Sequence, residues 1–447
     1  MDPVLLGALG IGSALLLLFL RVPVAFALGA AAVGGIFLYF AMPTSGGFHP
    51  ERALRPLFAF LASDPYSFLH AYPLVMAPLF IAMGHIAHRA GFTTDLFHAI
   101  RVWLPAVPGN LAMASVMGCG GFSAITGTSV ACAAAMGRIA VPEMLKFGYS
   151  KSLAASCVAA GGTLGSLIPP SLLLVLYGIF TEQSVSKLFL AGLLPGIATV
   201  VAYLGVVWIW VRLNPDAAPA DTYRATRAER WQALMRSWPF FILFFLIIGG
   251  IYFGFFTPTE AAAVAVVVAI LLGVLTRRLS WAGFLDALRE AAYQTAVVFA
   301  IAIAAKMLLS FVALTGVTTA LLNWIQAADL SVFVVMAAII LLYIVLGTFL
   351  DPIGIILLTI PLTVPLIESM DMSLIWFGIV VIKLLEIGLI TPPIGLNVFV
   401  IKSVVGKTVP LEAIFKGVLA FLAADLVILA LLLQFPVFAL LLPDTML

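Results

Sequence analysis

The 447 residues are 64% hydrophobic and 9% charged, with a formal net charge of +2 and a mean hydropathy of +1.20. So few charges cannot cover the surface of a soluble protein, and a nearly neutral balance excludes the basic patch that nucleic-acid binding requires. The three cysteines lack metal-ligand spacing, so we interpret them as small packing residues. The composition therefore predicts a polytopic helical protein that faces lipid.

Apolar stretches of membrane-spanning length begin the chain. Leu5–Leu20 and Val24–Phe40 are close to the roughly 17–25 residues that cross a hydrocarbon core. We assign residues 1–90 to N-terminal scaffold helices.

The next region, 91–211, has two interrupted apolar segments. Asn110–Pro142 is broken near its middle by glycine and polar residues at Gly118–Ser129. At 1.5 Å per residue it is long enough for two half-spanning legs, which predicts a re-entrant hairpin over about 110–142. Ser152–Phe180 contains Gly165 and the pair Pro169-Pro170, and it predicts a broken helix over about 152–180. We interpret 91–211 as the core of a first repeat.

Arginine is concentrated between the two halves of the chain. Region 212–238 contains Arg212, Arg224, Arg227, Arg230 and Arg236. Because short positive loops stay in the cytoplasm, this region is predicted to be a cytoplasmic loop. Residues 239–330 would then be the scaffold helices of a second repeat. Arg52 and Arg55 lie on the predicted outer side and are exceptions to this orientation.

The last region, 331–447, has the same organisation as the first core. A hairpin is predicted over about 331–366, with its tip at Gly347–Pro352. A broken helix follows over about 373–401, containing Gly388 and the pair Pro392-Pro393, and a C-terminal helix ends the region. Both Gly-x-x-x-Pro-Pro segments are related by one shift, since 388 − 165 = 223 and 392 − 169 = 223.

The charges that flank the two broken segments are reversed. Lys151 stands at the start of the first and Glu182 follows it, whereas Asp371 precedes the second and Lys402 lies at its end. If positive residues mark the cytoplasmic side, the first segment runs outward and the second runs inward. The fold class predicted is an all-α polytopic membrane protein with two inverted repeats, each having a re-entrant hairpin and a broken helix.

Broken helices and hairpin tips offer binding groups at membrane depth. A break exposes carbonyl groups that suit Na⁺, and N–H groups at a positive helix end that suit an anion. Hydroxyl and carboxylate oxygens cluster nearby, at Ser123, Thr126, Thr128, Ser129 and Ser166 in one copy and at Thr348, Asp351 and Thr391 in the other. These two groups of hard oxygen ligands favour a cation-coupled carrier. The alternative for the Ser/Thr/Gly run is close helix packing through small residues.

Ionisable residues deep in apolar segments are further candidates, because charge is costly in a bilayer. Asp351 could ligate Na⁺ or cap a half-helix. Lys383 and Glu386 are three residues apart and predict a helical ion pair that holds the second break open. Lys306 could attract an anionic substrate or pair with a carboxylate on another helix. We assign Asp425 and His85 to structural hydrogen bonding.

Several motifs in one order resemble a known family, the large membrane (M) subunit of tripartite ATP-independent periplasmic (TRAP) transporters. They include Arg21-Val-Pro-Val-Ala-Phe-Ala-Leu-Gly29, Pro78-Leu-Phe-Ile-Ala-Met-Gly84, Gly161 to Pro170, Thr257 to Ala263 and Gly388 to Asn397. The resemblance implies an elevator-type fold of the ion transporter superfamily in the bacterial inner membrane, with no enzymatic activity and no ATP. It also implies two Na⁺ sites, a periplasmic substrate-binding protein, and a separate four-helix membrane subunit (Q-type).

The resemblance assigns the sites by motif. Its metal ligands are Ser123, Ser129, Gly165, Ser166, Gly347, Thr348, Asp351, Gly388 and Thr391. Its substrate contacts are Ser123, Thr126, Gly127, Thr128, Thr391 and Asn397, to which we add Lys306. The expected function is Na⁺ symport of a small organic anion, a carboxylate or a sulfonate.

Three other functions can be compared with this one. A stand-alone divalent-anion/sodium symporter would share the fold and need no binding protein. An intramembrane protease would need paired aspartates in a Gly-x-Gly-Asp setting, which neither Asp351 nor Asp425 has. An ATP-driven permease is disfavoured because Gly406-Lys-Thr408 has Ile401 where a P-loop needs its first glycine.

Overall fold

The computed structural model describes residues 2–42, 47–104, 107–219 and 225–446, and all regular structure in these ranges is helical. The first half contains α1 (Pro3–Phe19), α2 (Val24–Ala41), α3 (Pro50–Leu69), α4 (Met76–Arg89), α5 (Phe92–Trp103), α6 (Asn110–Thr126), α7 (Ser129–Lys146), α8 (Lys151–Thr163), α9 (Leu172–Phe180) and α10 (Val185–Leu213). The second half contains α11 (Arg227–Tyr252), α12 (Pro258–Leu275), α13 (Trp281–Thr315), α14 (Val317–Ala327), α15 (Val332–Phe349), α16 (Pro352–Ser369), α17 (Leu374–Ile390), α18 (Leu396–Val405), α19 (Leu411–Gln434) and α20 (Val437–Asp444).

Eight helices in the described ranges are long and apolar enough to cross a membrane: α2, α10, α11, α12, α13, α15, α16 and α19. A ninth span is possible from α3 with the segment Tyr72–Arg89, two pieces that meet at an angle of 62°. The chain is therefore an all-helical, polytopic membrane protein.

Both interrupted segments of each repeat are present. The hairpins are α6–α7 and α15–α16, and their turns are only two residues long, Gly127-Thr128 and Leu350-Asp351. The tip predicted over Gly118–Ser129 is therefore mostly helix, because α6 continues to Thr126. The broken helices are α8–α9 and α17–α18, and both proline pairs have a cis peptide bond.

The packing of the repeats is reciprocal. The helix after each break, α9 or α18, lies against the second hairpin leg of the other repeat, α16 or α7. In the same way, α10 packs against α17 and its counterpart α19 packs against α8. Likewise, α2 packs against α13 and α4 packs against α12. A pseudo-twofold axis generates this exchange, which is the relation that inverted repeats share. We call α6–α10 and α15–α20 the core, and α1–α5 with α11–α14 the outer helices.

The polar region between the halves is shorter than the predicted loop 212–238. Helix α10 continues to Leu213 and α11 begins at Arg227, so the arginines from Arg227 onward are helical. A capping box causes this early start: Thr226 accepts from the N–H of Glu229, whose carboxylate accepts from the N–H of Thr226. Arg224 lies outside the described residues.

Candidate functional site

The first hairpin tip presents a helix N-terminus without a side-chain cap. Gly127 ends α6 at φ +63°, and a Cβ atom there would lie 2.4 Å from the carbonyl oxygen of Pro170. The N–H of Leu172 donates to the Gly127 carbonyl at 3.2 Å, which joins the tip to the first broken helix. Thr128 is the N-cap of α7 but makes no capping hydrogen bond. The first N–H groups of α7 and its positive dipole end therefore remain available to an anion.

The first break packs directly against this tip. A Cβ atom at Gly165 would lie 2.7 Å from the backbone C and O atoms of Thr128, so only glycine fits. The next residue, Ser166, is 1% exposed, and its Oγ has no hydrogen-bond partner within the described ranges. A buried hydroxyl without a partner is costly, and a ligand would satisfy it.

The second tip is also a two-residue turn, but it is capped, and Leu350 is extended where the equivalent Gly127 is left-handed. Asp351 is the N-cap of α16, and its Oδ2 accepts from the N–H groups of Ile353 at 3.1 Å and Gly354 at 3.4 Å. Both alternatives for Asp351 are thus open together: it caps a helix, and its carboxylate still has lone pairs for a cation. The second break touches this hairpin, since a Cβ atom at Gly388 would lie 2.6 Å from Cα and C of Gly347.

A cavity of about 920 Å³ lies between the core and the outer helices. Both tips and the first break reach it, through Gly127, Thr128, Ser129, Ser166 and Asp351. The opposite wall is formed by the start of α2, by α13 and by His85 of α4. The volume is that of a small-molecule site. The tips of both repeats lie together on the core side of this cavity.

The outer wall carries three polar residues that the sequence analysis did not place at the site: His85, Glu290 and Gln294. The His85 ring contacts the Glu290 carboxylate at 3.2 Å and the Gln294 side-chain oxygen at 3.0 Å. Arg89 pairs with Glu290 at 2.5 Å. Glu290 and Gln294 are four residues apart on α13, a spacing that puts them on one helix face, and this was the only signal in the sequence.

Other predicted ligands lie away from the cavity wall. Gly347 and Gly388 are in mutual contact behind it, while Thr348 and Thr391 donate to the carbonyls of Val345 and Ile387. The contacts of these four residues are those of close helix packing, the alternative to ligand binding. Any cation there would use backbone carbonyls at the second break.

Five predicted substrate contacts lie outside the cavity, and Thr391 is one of them. Ser123 is fully buried against Cys132, and Thr126 donates to the carbonyl of Phe122. Asn397 donates to the carbonyl of Ala159 at 3.3 Å. Lys306 is half-buried on α13, with no hydrogen bond or ion pair among the described residues. The structure does not bring these residues to the wall that both tips share.

A buried charge network lies behind the second break. Lys383 donates to Glu386 at 3.1 Å, as the three-residue spacing predicts, and also to Asp425 at 2.6 Å. All three side chains are fully buried. The structural assignment of Asp425 thus becomes specific, because its carboxylate, together with that of Glu386, compensates the charge of the fully buried Lys383.

Comparison with known proteins agrees with this architecture. The family model "Tripartite ATP-independent periplasmic transporter, DctM component" matches residues 11–438. The sialic acid TRAP transporter large permease protein SiaM of Vibrio cholerae is 30% identical over 96% of both chains. The C4-dicarboxylate TRAP transporter large permease protein DctM of Pseudomonas aeruginosa is 33% identical over 83% of this chain and 86% of its own.

Two further likenesses extend this result. The ectoine TRAP transporter large permease protein TeaC of Halomonas elongata is 30% identical over 96% of both chains. The crystal structure of the Alcanivorax borkumensis YdaH transporter, described as having an unusual topology, aligns over 97% of this chain and 98% of its own with a TM-score of 0.59. At 15% identity, that structure supports the fold alone. Together, the family match and the full-length relatives show that this chain belongs to the DctM family, the large inner-membrane permease component of TRAP transporters, and is a transporter rather than an enzyme.

Proposed function

We propose that the chain takes up a small organic anion by Na⁺ symport, after a periplasmic binding protein delivers the substrate. The observation that carries the proposal is the cavity in which the uncapped N-terminus of α7 and the unpartnered Ser166 face the same space as Asp351. Free N–H groups suit a carboxylate or sulfonate, and the acidic side chain suits a cation.

The first tip is the proposed place of the anion. Ser129, Val130 and Ala131 supply the first N–H groups of α7, and all three residues line the cavity. Thr128 can add a hydroxyl donor, since its side chain is not used as a cap. Two Na⁺ ions are proposed, one at each pairing of a tip with a break. The first would use Ser129, Gly165 and Ser166, and the second would use Asp351 with backbone carbonyls near Gly388.

The position of the cavity supports an elevator movement. It separates the core, which carries both tips, from the outer helices α2 and α13. A displacement of the core along these helices would carry the anion and the ions together across the membrane. A small four-helix subunit of the Q type is the proposed partner that braces the outer helices.

The main alternative is a stand-alone divalent-anion/sodium symporter, which would use the same tips without a binding protein. The experiment that separates them is uptake into proteoliposomes containing this chain and its small membrane subunit. Labelled sialic acid, succinate, ectoine and a small sulfonate would be tested, with an inward Na⁺ gradient or with choline in its place. Each would be tested with and without its binding protein.

Uptake that requires both Na⁺ and the binding protein is the expected result. Na⁺-driven uptake that is indifferent to the binding protein would favour the stand-alone symporter. Uptake that is equal in Na⁺ and in choline would contradict ion coupling. Liposomes lacking the chain provide the background rate.

A further inference from the structure

The network around Lys383 extends from one break to the other. Tyr203 of α10 donates its hydroxyl hydrogen to Oδ2 of Asp425 at 2.7 Å, while Lys383 bonds Oδ1 of the same carboxylate. The Tyr203 hydroxyl also lies 3.4 Å from that of Thr163. The chain of contacts therefore runs from α8 through α10 and α19 to α17, across both repeats.

Each end of the network adjoins a break. Thr163 is the last residue of α8, and the short 3-10 turn Leu164–Ser166 follows it directly. At the other end, Glu386 stands two residues before Gly388, the glycine pressed against Gly347. The network thus joins the backbone on which the first cation site would be built to that of the second.

The network has little freedom to rearrange. Lys383 uses its three ammonium hydrogens on Asp425, Glu386 and Thr199, the last at 3.1 Å. The side chains of these four residues, and that of Tyr203, are fully buried. Every ammonium hydrogen of Lys383 has an acceptor, whereas Oε1 of Glu386 has no hydrogen-bond partner among the described residues. Moving the ammonium group in this low-dielectric interior would break several bonds at once. A shift of either break would therefore disturb bonds that connect it to the other.

We propose that this network couples the two cation sites, so that Na⁺ bound at one break favours Na⁺ at the other. This inference rests on the proposed function, since it takes the two Na⁺ sites as given. Thr163, Tyr203 and Asp425 are positioning residues in this scheme, because they touch neither ion nor substrate. Coupling of this kind is a difference in affinity between singly and doubly occupied states.

The test is equilibrium binding of radiolabelled Na⁺ to the purified complex, with choline keeping the ionic strength constant. In the wild type we expect a steep curve with a Hill coefficient approaching about 2, the number of sites. Tyr203→Phe removes the connecting hydroxyl and keeps the ring, which packs edge-on against Phe421. Thr163→Val removes the other hydroxyl of the Thr163–Tyr203 contact, which at 3.4 Å is the longest in the network. Each should flatten the curve towards a coefficient of about 1 and raise the half-saturating Na⁺ concentration roughly fivefold.

Tyr343→Phe is the matched control. It also removes one buried tyrosine hydroxyl, but among the described residues that group bonds only to Thr359 and Thr363 within the second hairpin. A purely structural lesion would lower the melting temperature in Tyr203→Phe and Tyr343→Phe alike and leave the slope unchanged. Thr163→Val keeps the test decisive even if Tyr203→Phe does not fold.

The remaining outcomes are distinct. A steep wild-type curve that persists in both Tyr203→Phe and Thr163→Val would overturn the inference. A wild-type coefficient of about 1, with Na⁺ bound, would also overturn it but leave Na⁺ symport standing. No saturable Na⁺ binding by the wild type would overturn the proposed function, and the inference with it.

Discussion

The two hairpin tips have the same length but different backbone conformations and different end groups. Thr128 and Asp351 are equivalent positions, since 351 − 128 = 223, the shift that relates the repeats. Both are N-cap residues of a second hairpin leg, but only Asp351 makes capping hydrogen bonds. The first tip therefore offers N–H groups to an anion, and the second offers a carboxylate to a cation.

The breaks differ in the same way. Ser166 of the first break is equivalent to Leu389 of the second, since 389 − 166 = 223, whereas Thr391 of the second is equivalent to Ile168 of the first, so the two breaks carry their hydroxyls at different positions. In contrast, the glycines that let each break touch its hairpin, Gly165 and Gly388, are present in both copies. The close approach of break and hairpin is therefore common to both copies, while the end groups of the tips differ: an uncapped helix N-terminus in the first and a carboxylate in the second.

The largest expected effect comes from the shared feature. Gly165→Ala and Gly388→Ala would each place a Cβ atom within 2.7 Å of the facing hairpin backbone. Backbone cannot yield as a flexible side chain does, so each should cost about 1–3 kcal/mol or more and lower uptake at least roughly tenfold. Melting temperature and Na⁺-driven uptake in proteoliposomes measure both effects.

Gly205→Ala on α10 is the control, since its new methyl group meets nothing within 4 Å. It should leave melting temperature and uptake near wild type. If either Gly165→Ala or Gly388→Ala behaved like this control, the tight contact between break and tip would not be required for transport.

The second prediction makes the first tip resemble the second. Thr128→Asp adds a carboxylate that can cap α7 and repel an anion bound at its N-terminus. We expect uptake to fall about tenfold or more, because one unit of negative charge is placed beside the anion, while the added cap should keep the melting temperature equal to or above that of the wild type. Thr128→Asn isolates the charge, since asparagine caps equally well and is neutral. Equal uptake by the two variants would argue against an anion at this tip.

The hairpins and breaks could be predicted because each depends on local chemistry. Gly165, Gly388 and the two proline pairs interrupt helices by their own backbone restrictions, and the 223-residue shift confirmed the pattern in a second copy. The region 212–238 was wrong as a single loop, because the Thr226 and Glu229 capping box starts α11 within it. The prediction followed the number of arginines in this region and did not use the capping box as a helix start.

The third prediction separates the two roles of Asp351. Asp351→Asn keeps a residue that caps well but removes the charge, so stability should change by less than about 0.5 kcal/mol. The half-saturating Na⁺ concentration should rise roughly tenfold, because the second tip loses its anionic ligand. Asp351→Ala removes cap and charge together and should lose about 1 kcal/mol of stability in addition. Unchanged Na⁺ binding in Asp351→Asn would reduce this residue to a helix cap.

The outer wall and the buried network show where sequence reasoning fails. The Lys383 and Glu386 pair was predictable from its spacing on one helix, but Asp425 lies 42 residues from Lys383 on another helix. Likewise, His85 and Gln294 are 209 positions apart. Such contacts depend on how helices are packed, and the local pattern around each residue contains no trace of its partner.

The smallest effect is expected at Ser166, where the first break differs from Leu389 of the second. Its Oγ has no partner in the described structure, so Ser166→Ala should leave the melting temperature unchanged or slightly higher. The half-saturating Na⁺ concentration should rise by roughly two- to fivefold through loss of one neutral ligand.

Ser171→Ala is the contrasting variant. Its hydroxyl donates to the Ser166 carbonyl and accepts from the N–H of Leu174, so its removal should cost about 1 kcal/mol of stability. Loss of stability in Ser166→Ala, with normal Na⁺ binding, would show that Ser166 serves packing and that the first break binds its cation through backbone groups alone.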